Sequence, residues 1–189
     1  METSVGSTQS APQPSPTALA KAAGAASARR DGVVMSDLGD LLAPQAIFPR
    51  LLASSRRQAL QVMTEALAPA AGADARVVFD AVLMRERLAG TGVGEGVAVP
   101  HALLPGLKRP VGAFARLDPP QDFDALDGRP TDLVFLLLSP ADKGADHLKA
   151  FARISRFMRR ADMRDKLRAA RGAEELQALF SSSPRVDAA

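Results

Sequence analysis

Arg85-Glu-Arg-Leu-Ala-Gly90-Thr-Gly-Val-Gly-Glu95-Gly-Val-Ala-Val-Pro100-His101 is the run of residues on which the fold turns. Its first residues complete a helix. Asp74 is placed to cap that helix, and Val77, Val78, Ala81, Val82, Met84 and Leu88 recur at helical spacing up to Gly90. Glycines at 92, 94 and 96 then break the helix, and Val97-Ala-Val99 resumes as a strand. Pro100 disfavours the helical region for Val99 and helps end the strand there. The end of a buried strand is a rigid mount, and the side chain mounted on it is His101.

The glycine run does not fit a nucleotide site. A dinucleotide fingerprint needs G-x-G-x-x-G between a strand and a helix, whereas here the spacing is G-x-G-x-G, after a helix and before a strand. The lysine and hydroxyl residue of a P-loop are missing. Two readings remain open on spacing alone: a glycine turn leading into a strand, and a backbone cradle wrapped around an anion.

Outward from this run, Val111 to Leu117 reads as a strand, and Asp132 to Leu138 as a near-continuous apolar strand buried on both faces. Phe123 to Pro130 between them is turn-like, with Asp127-Gly128 as the turn. Asp122, Asp124 and Asp127 lack the spacing and the final Glu of a calcium loop, so they read as loop acids. A helix begins near Asp146, with Leu148, Phe151, Ser155 and Met158 on one face, and two shorter helices follow near 162–170 and 173–180. Upstream, Ser54-Ser55 precede a helix carrying Leu60, Met63, Ala66 and Leu67, expected to stop at Pro69. Before that, Ser36-Asp37-Leu38 looks like a cap on a short apolar turn that Pro44 ends. The mixture gives an α/β class with a small mixed β-sheet flanked by helices.

Composition sets the domain limits. Residues 1–34 hold 22 Ala, Ser, Thr, Pro or Gly and no aromatic, too little apolar surface to offset ordering. They read as a disordered tail, although a start at Met35 fits equally. Residues 35–181 form the domain and 182–189 a C-terminal tail. The chain has no cysteine, no Trp, no Tyr and a net charge of +3. That removes disulfides and thiolate chemistry, and gives no charge that demands nucleic acid. The apolar runs are too short to span a membrane, and no signal peptide is evident. The expected location is the cytoplasm.

Only two histidines are present, His101 and His147. His147 lies beside Asp146 at the expected start of a helix, where unbonded N–H groups and the dipole suit a phosphate and a neutral imidazole. A lone histidine is more often structural than catalytic, and residue by residue both readings stay open. Two histidines without a third ligand make no metal site, so neither metal nor other cofactor is expected. The segment 149–171 carries nine Lys or Arg against two Asp, and Lys149, Arg153, Arg156 and Arg160 are spaced as one stripe. That stripe is either a solvated face or a dock for an acidic partner. The scarcity of aromatics argues against single-stranded nucleic acid.

The long run 85–101 resembles the phosphorylation-site motif of the enzyme IIA family of the bacterial phosphotransferase system, nitrogen-regulatory branch. The resemblance continues through Val111-Gly-Ala-Phe-Ala-Arg-Leu117, Phe123-Asp-Ala-Leu-Asp-Gly128, Asp132-Leu-Val-Phe-Leu-Leu-Leu-Ser-Pro140 and Asp146-His-Leu-Lys-Ala150, covering about residues 36 to 181. It implies the fructose/mannitol/nitrogen-type IIA fold and a phosphohistidine at His101. It implies that His147 is the second active-site histidine, that Arg85 faces the same site, and that Thr91 and Gly92 lie in a phosphoryl-binding turn. Gly90 stands where the family often has Ser, so one hydroxyl is missing, and Ala102 replaces a frequent Gly. The implied donor is an HPr-type phosphocarrier, and the implied role is phosphorylation-dependent regulation of a target such as a transporter or a sensor kinase. A sugar-specific component passing phosphate to a IIB domain is the alternative. A binding module that docks acidic partners through the basic 149–171 segment is the alternative of another class.

Overall fold

The computed structural model describes residues 38–181. The tails expected at 1–34 and 182–189, and the Ser36-Asp37 cap, lie outside the described residues. The elements in chain order are β1 (Leu42–Leu52), α1 (Arg56–Ala71), α2 (Ala75–Leu88), β2 (Gly92–Gly94), β3 (Val97–Ala98), β4 (His101–Leu104), β5 (Val111–Gln121), β6 (Thr131–Pro140), α3 (Gly144–Met158), α4 (Ala161–Ala169) and α5 (Ala173–Ser181).

Two expectations are corrected. The segment after Leu38 is not a short helical turn ended by Pro44 but the eleven-residue strand β1, in which Pro44 and Pro49 both lie. A proline lacks the N–H that a ladder needs, so it is tolerated where pairing is one-sided. β1 pairs only with β5, with register shifts between Leu42 and Ile47 and between Phe48 and Leu51. Helix α1 likewise runs past Pro69 to Ala71. Near a helix end, the proline costs little beyond one hydrogen bond. Gly72, at φ 62, then closes the helix by donating its N–H to the carbonyls of Ala68 and Pro69.

The six-stranded mixed sheet has the order β1-β5-β6-β3-β2, with β4 also pairing β6. β5 and β6 are antiparallel, while β1 runs parallel to β5, and β3 and β4 run parallel to β6. Side chains of β6 alternate between two cores, which is why its sequence is apolar without a break. Val134, Leu136 and Leu138 pack with Leu60, Met63, Val78 and Val82 of α1 and α2. Leu133, Phe135 and Leu137 pack with Ile154, Phe157, Leu167 and Phe180 of α3, α4 and α5.

The face that α3 buries is set by its packing on β6. Ala150, Ile154, Phe157 and Met158 are buried, while Leu148 is 68% exposed and Phe151 and Ser155 are half-buried. Two apolar stripes overlap on this helix, and packing on β6 selects one of them. The other stripe runs past the short strand β4, which pairs only with β6 and so forms an edge of the sheet. At that edge α2 arrives from one face and α3 from the other. Among the described residues no helix is long and apolar enough to cross a membrane.

Candidate functional site

His101 is the first residue of β4, opposite Leu137 of β6. Its Nδ1 lies 2.9 Å from the Val99 carbonyl. A carbonyl can only accept, so Nδ1 carries the proton and Nε2 of the neutral ring keeps its lone pair. The imidazole is half-buried. Burial pushes its pKa below the ordinary 6.5, the Val99 hydrogen bond acts the other way, and the charges of Arg85 and His147 add to the depression. Near neutral pH the ring is therefore a base with a lone pair, which is what a nucleophile at nitrogen requires.

His147 sits one turn into α3, and its ring centroid is 5.5 Å from that of His101. Its Nδ1 is 3.0 Å from the hydroxyl of Ser139. Burial first, and the charge of Arg85 second, hold its pKa below the ordinary value. Phe151, one turn further along α3, meets His101 edge-on at 5.2 Å and His147 at 6.1 Å, fixing the tilt of both rings. Arg85, in the last turn of α2, donates from Nη1 to the Ala89 carbonyl at 3.1 Å.

Ala81, Met84, Arg85, Leu88, His101, Ala102, Leu103 and His147 line one open cavity of about 360 Å³. His101, His147 and Arg85, read from three separate segments of sequence, thus share a single pocket. Around it Met84, Leu88 and Leu103 are exposed, Leu88 by 79%. Apolar side chains thus gather at the rim of the pocket that holds the two imidazoles and Arg85.

The structure does not bring Thr91 and Gly92 to this cavity. Thr91 is buried, and its hydroxyl donates to Glu86 Oε2 at 2.7 Å while its N–H donates to Oε1 at 3.3 Å. The Gly92 N–H is taken by the Phe123 carbonyl at 2.9 Å. Both donors expected for a phosphoryl group are already committed within the protein. Thr91 is instead linked to His101 through the backbone. The Thr91 carbonyl accepts from Val99 N–H at 3.0 Å, and the Val99 carbonyl accepts from His101. A chain of hydrogen bonds therefore runs from Glu86 through Thr91 and Val99 to the imidazole.

The glycine run is the tight turn between β2 and β3 rather than an anion cradle. Gly94, Glu95 and Gly96 all have positive φ, and Asp127 accepts the Glu95 N–H at 2.7 Å across the turn. Gly90 answers a different need. A Cβ there would stand 2.4 Å from the Asp124 Cβ and 2.8 Å from the Phe123 carbonyl. In this chain the 123–124 loop fills the space that a serine would occupy.

Glu86 and Ser139 escaped the sequence reading. Each left a signal: Glu86 is a carboxylate at a helix position in register with the apolar Phe79 and Val82, and Ser139 is a lone hydroxyl closing an unbroken apolar run. The Val99 carbonyl, a backbone group, left none. The basic stripe is partly spent within the protein, with Arg153 paired to Asp40 and Arg160 to Asp162.

The model of the family "Phosphoenolpyruvate-dependent sugar phosphotransferase system, EIIA 2" matches residues 40–183. The chain is 50% identical over 149 residues to the nitrogen regulatory protein of Bradyrhizobium diazoefficiens, covering 79% of this chain and 97% of that one. It is 36% identical over 135 residues to the nitrogen regulatory protein of Escherichia coli K12, covering 71% and 83%. The crystal structure of nitrogen regulatory protein IIA-Ntr from Neisseria meningitidis superposes with a TM-score of 0.71 at 31% identity, over 76% of this chain and 98% of that one. The E. coli IIA mannitol crystal structure, at 19% identity and a TM-score of 0.62, covers 73% and 97% and shares the fold.

Proposed function

The chain belongs to the EIIA 2 family of the phosphoenolpyruvate-dependent sugar phosphotransferase system, in its nitrogen-regulatory branch, and from that premise we propose that it accepts a phosphoryl group on Nε2 of His101 from an HPr-type phosphocarrier. The observation that carries the proposal is the fixed tautomer of His101. The Val99 carbonyl holds the proton at Nδ1 and leaves the Nε2 lone pair beside His147 and Arg85 in an open pocket.

In the transfer, the Nε2 lone pair forms the new N–P bond as the P–N bond to the donor's histidine breaks. The donor imidazole leaves with the bonding electron pair. The transition state is loose and its charge lies on the equatorial oxygens, so the acceptor contributes mainly position and compensating charge. Arg85 supplies the positive charge, and His147 supplies a hydrogen bond. The openness of the pocket suits a donor that is itself a protein and must bring its histidine in line. The exposed rim of Met84, Leu88 and Leu103 is where that donor docks.

The chain is a phosphorylation-dependent regulator of the phosphotransferase type. We assign its output to target proteins, such as a transporter or a sensor kinase, that distinguish the phosphorylated from the unphosphorylated form. Onward transfer to a IIB component is less favoured, since the 50% identical relative, matched over 97% of its length, is a nitrogen regulatory protein.

The test is incubation with phosphoenolpyruvate, enzyme I and an HPr-type carrier, read by intact mass. The expected result is one phosphoryl group on the parent chain, labile in acid and stable in base, and none on His101→Ala. Phosphorylation of the His101→Ala chain would refute the assignment.

A further inference from the structure

Ser139 lies near the end of β6, opposite Leu103 of β4, and is fully buried. Its hydroxyl makes one hydrogen bond among the described residues, to Nδ1 of His147 at 3.0 Å. A hydroxyl can donate or accept, and so can a ring nitrogen, so the distance alone leaves two arrangements. Burial separates them. If Nδ1 carried the proton, the serine would accept it and its own hydrogen would point into the interior with no acceptor. A buried hydroxyl left without a partner disfavours that arrangement by a factor on the order of ten or more. If Nδ1 is bare, the serine donates to it and both groups are satisfied.

We infer that Ser139 is a positioning residue: it donates its hydroxyl proton to Nδ1 of His147 and so holds that ring's own proton at Nε2, aimed at the cavity. The inference rests on the phosphoryl-acceptor reading of His101 for its purpose, though not for its geometry. The two imidazoles are then in opposite tautomers. His101 faces a carbonyl, which can only accept, and presents a lone pair. His147 faces a buried hydroxyl that needs an acceptor, and presents an N–H. One ring attacks phosphorus and the other donates to the phosphoryl oxygens. Two rings in the same tautomer, 5.5 Å apart, would turn two lone pairs or two N–H groups toward one phosphoryl group. Phe151 packs against both rings and hinders a flip of His147 that would exchange its nitrogens.

The chain contains only two histidines, so a long-range proton–nitrogen correlation spectrum of the full uniformly labelled protein, taken above pH 7, shows two rings. The expected spectrum has a pyridine-like Nε2 for His101 and a pyridine-like Nδ1 for His147. A protonated Nδ1 on His147 overturns the inference, whether or not the protein takes a phosphoryl group. Ser139→Ala, which removes only the hydroxyl, should leave His147 in mixed tautomers and slow phosphorylation about three- to tenfold, the worth of one hydrogen bond. Ser139→Thr, which restores the hydroxyl, should recover both. In a His147→Ala background, Ser139→Ala should have no further effect, because the serine acts through that ring. An equal slowing in that background would show that the serine serves packing alone. Failure of the parent chain to be phosphorylated would refute the role of His101, and the spectrum would still decide that of Ser139.

Discussion

Replacing Thr91 by valine separates the part this residue plays in the structure from the part its sequence context suggests. Valine keeps the volume and the β-branch and removes one hydroxyl. That hydroxyl donates at 2.7 Å to Glu86, a carboxylate only 4% exposed, whose other oxygen receives the Thr91 N–H at 3.3 Å and Arg56 at 3.4 Å. A hydrogen bond to a buried charged group is worth about 1.5–3 kcal/mol. For a domain of this size each kcal/mol moves the melting temperature by about 2–4 °C, so a loss of roughly 3–12 °C is expected near neutral pH. Burial already raises the Glu86 pKa above its ordinary 4.5, against the opposing pull of Thr91 and Arg56. Removing a donor raises it further. The cost should therefore be greatest where the carboxylate is ionised and shrink as the pH falls through the folded pKa and a proton replaces the lost donor. Thermal melts from neutral to acid pH measure this, with Thr91→Ser, which keeps the hydroxyl, as the control. Phosphorylation should stay well short of the roughly 10²–10³-fold loss expected when a donor to the phosphoryl group is removed. A Thr91→Val chain that melts within about 1 °C of the parent yet is phosphorylated a hundredfold more slowly would refute the reasoning and return the hydroxyl to the phosphoryl group.

Three further outcomes are expected. Arg85→Ala should slow phosphorylation by about 10²–10³-fold with the fold intact, and should raise both imidazole pKa values, because the Arg85 charge lowers each of them; rate and nuclear magnetic resonance titration check the two effects, and unchanged values of both would make Arg85 a bystander. Gly90→Ser should destabilise the domain by about 1–3 kcal/mol in denaturant unfolding, because the new Cβ meets the 123–124 backbone and side chain, and a serine accepted without loss would show that the loop yields. Because both histidines are depressed below 6.5 in the folded chain, the stability they leave intact is fully present above pH 6.5 and is lost as the pH falls from there through their folded values; a His101→Gln/His147→Gln chain should lose less melting temperature over that interval, and an identical pH slope would contradict the depressed values.

Much of the fold was legible because its signals are local and periodic. Asp74 caps α2 by accepting from the Arg76 and Val77 N–H groups, and the unbroken apolar run of β6 serves two cores at once. β1 was missed because Pro44 and Pro49 argue locally against a strand, and only its one-sided pairing with β5 explains how they are tolerated. The stripe that α3 buries was not legible because Leu148, Phe151 and Ser155 are as helical in spacing as Ala150, Ile154 and Phe157. Choosing between the stripes requires knowing where β6 and the sheet edge lie.

The site divides in the same way. The amino-acid sequence by itself determined which side chains could do the chemistry. With no cysteine and only two histidines, a nitrogen nucleophile had few candidates, and one of these follows a strand and a proline at the end of a long motif. Tertiary structure alone decided what each candidate is worth. A tautomer depends on the group facing the other ring nitrogen, and that group is a backbone carbonyl for His101 and a hydroxyl from a different strand for His147. Whether Thr91 faces a ligand or a buried carboxylate likewise depends on how a helix end packs against the turn that follows it. Donors and acceptors are matched in space, and residue identity along the chain does not say which of them will meet.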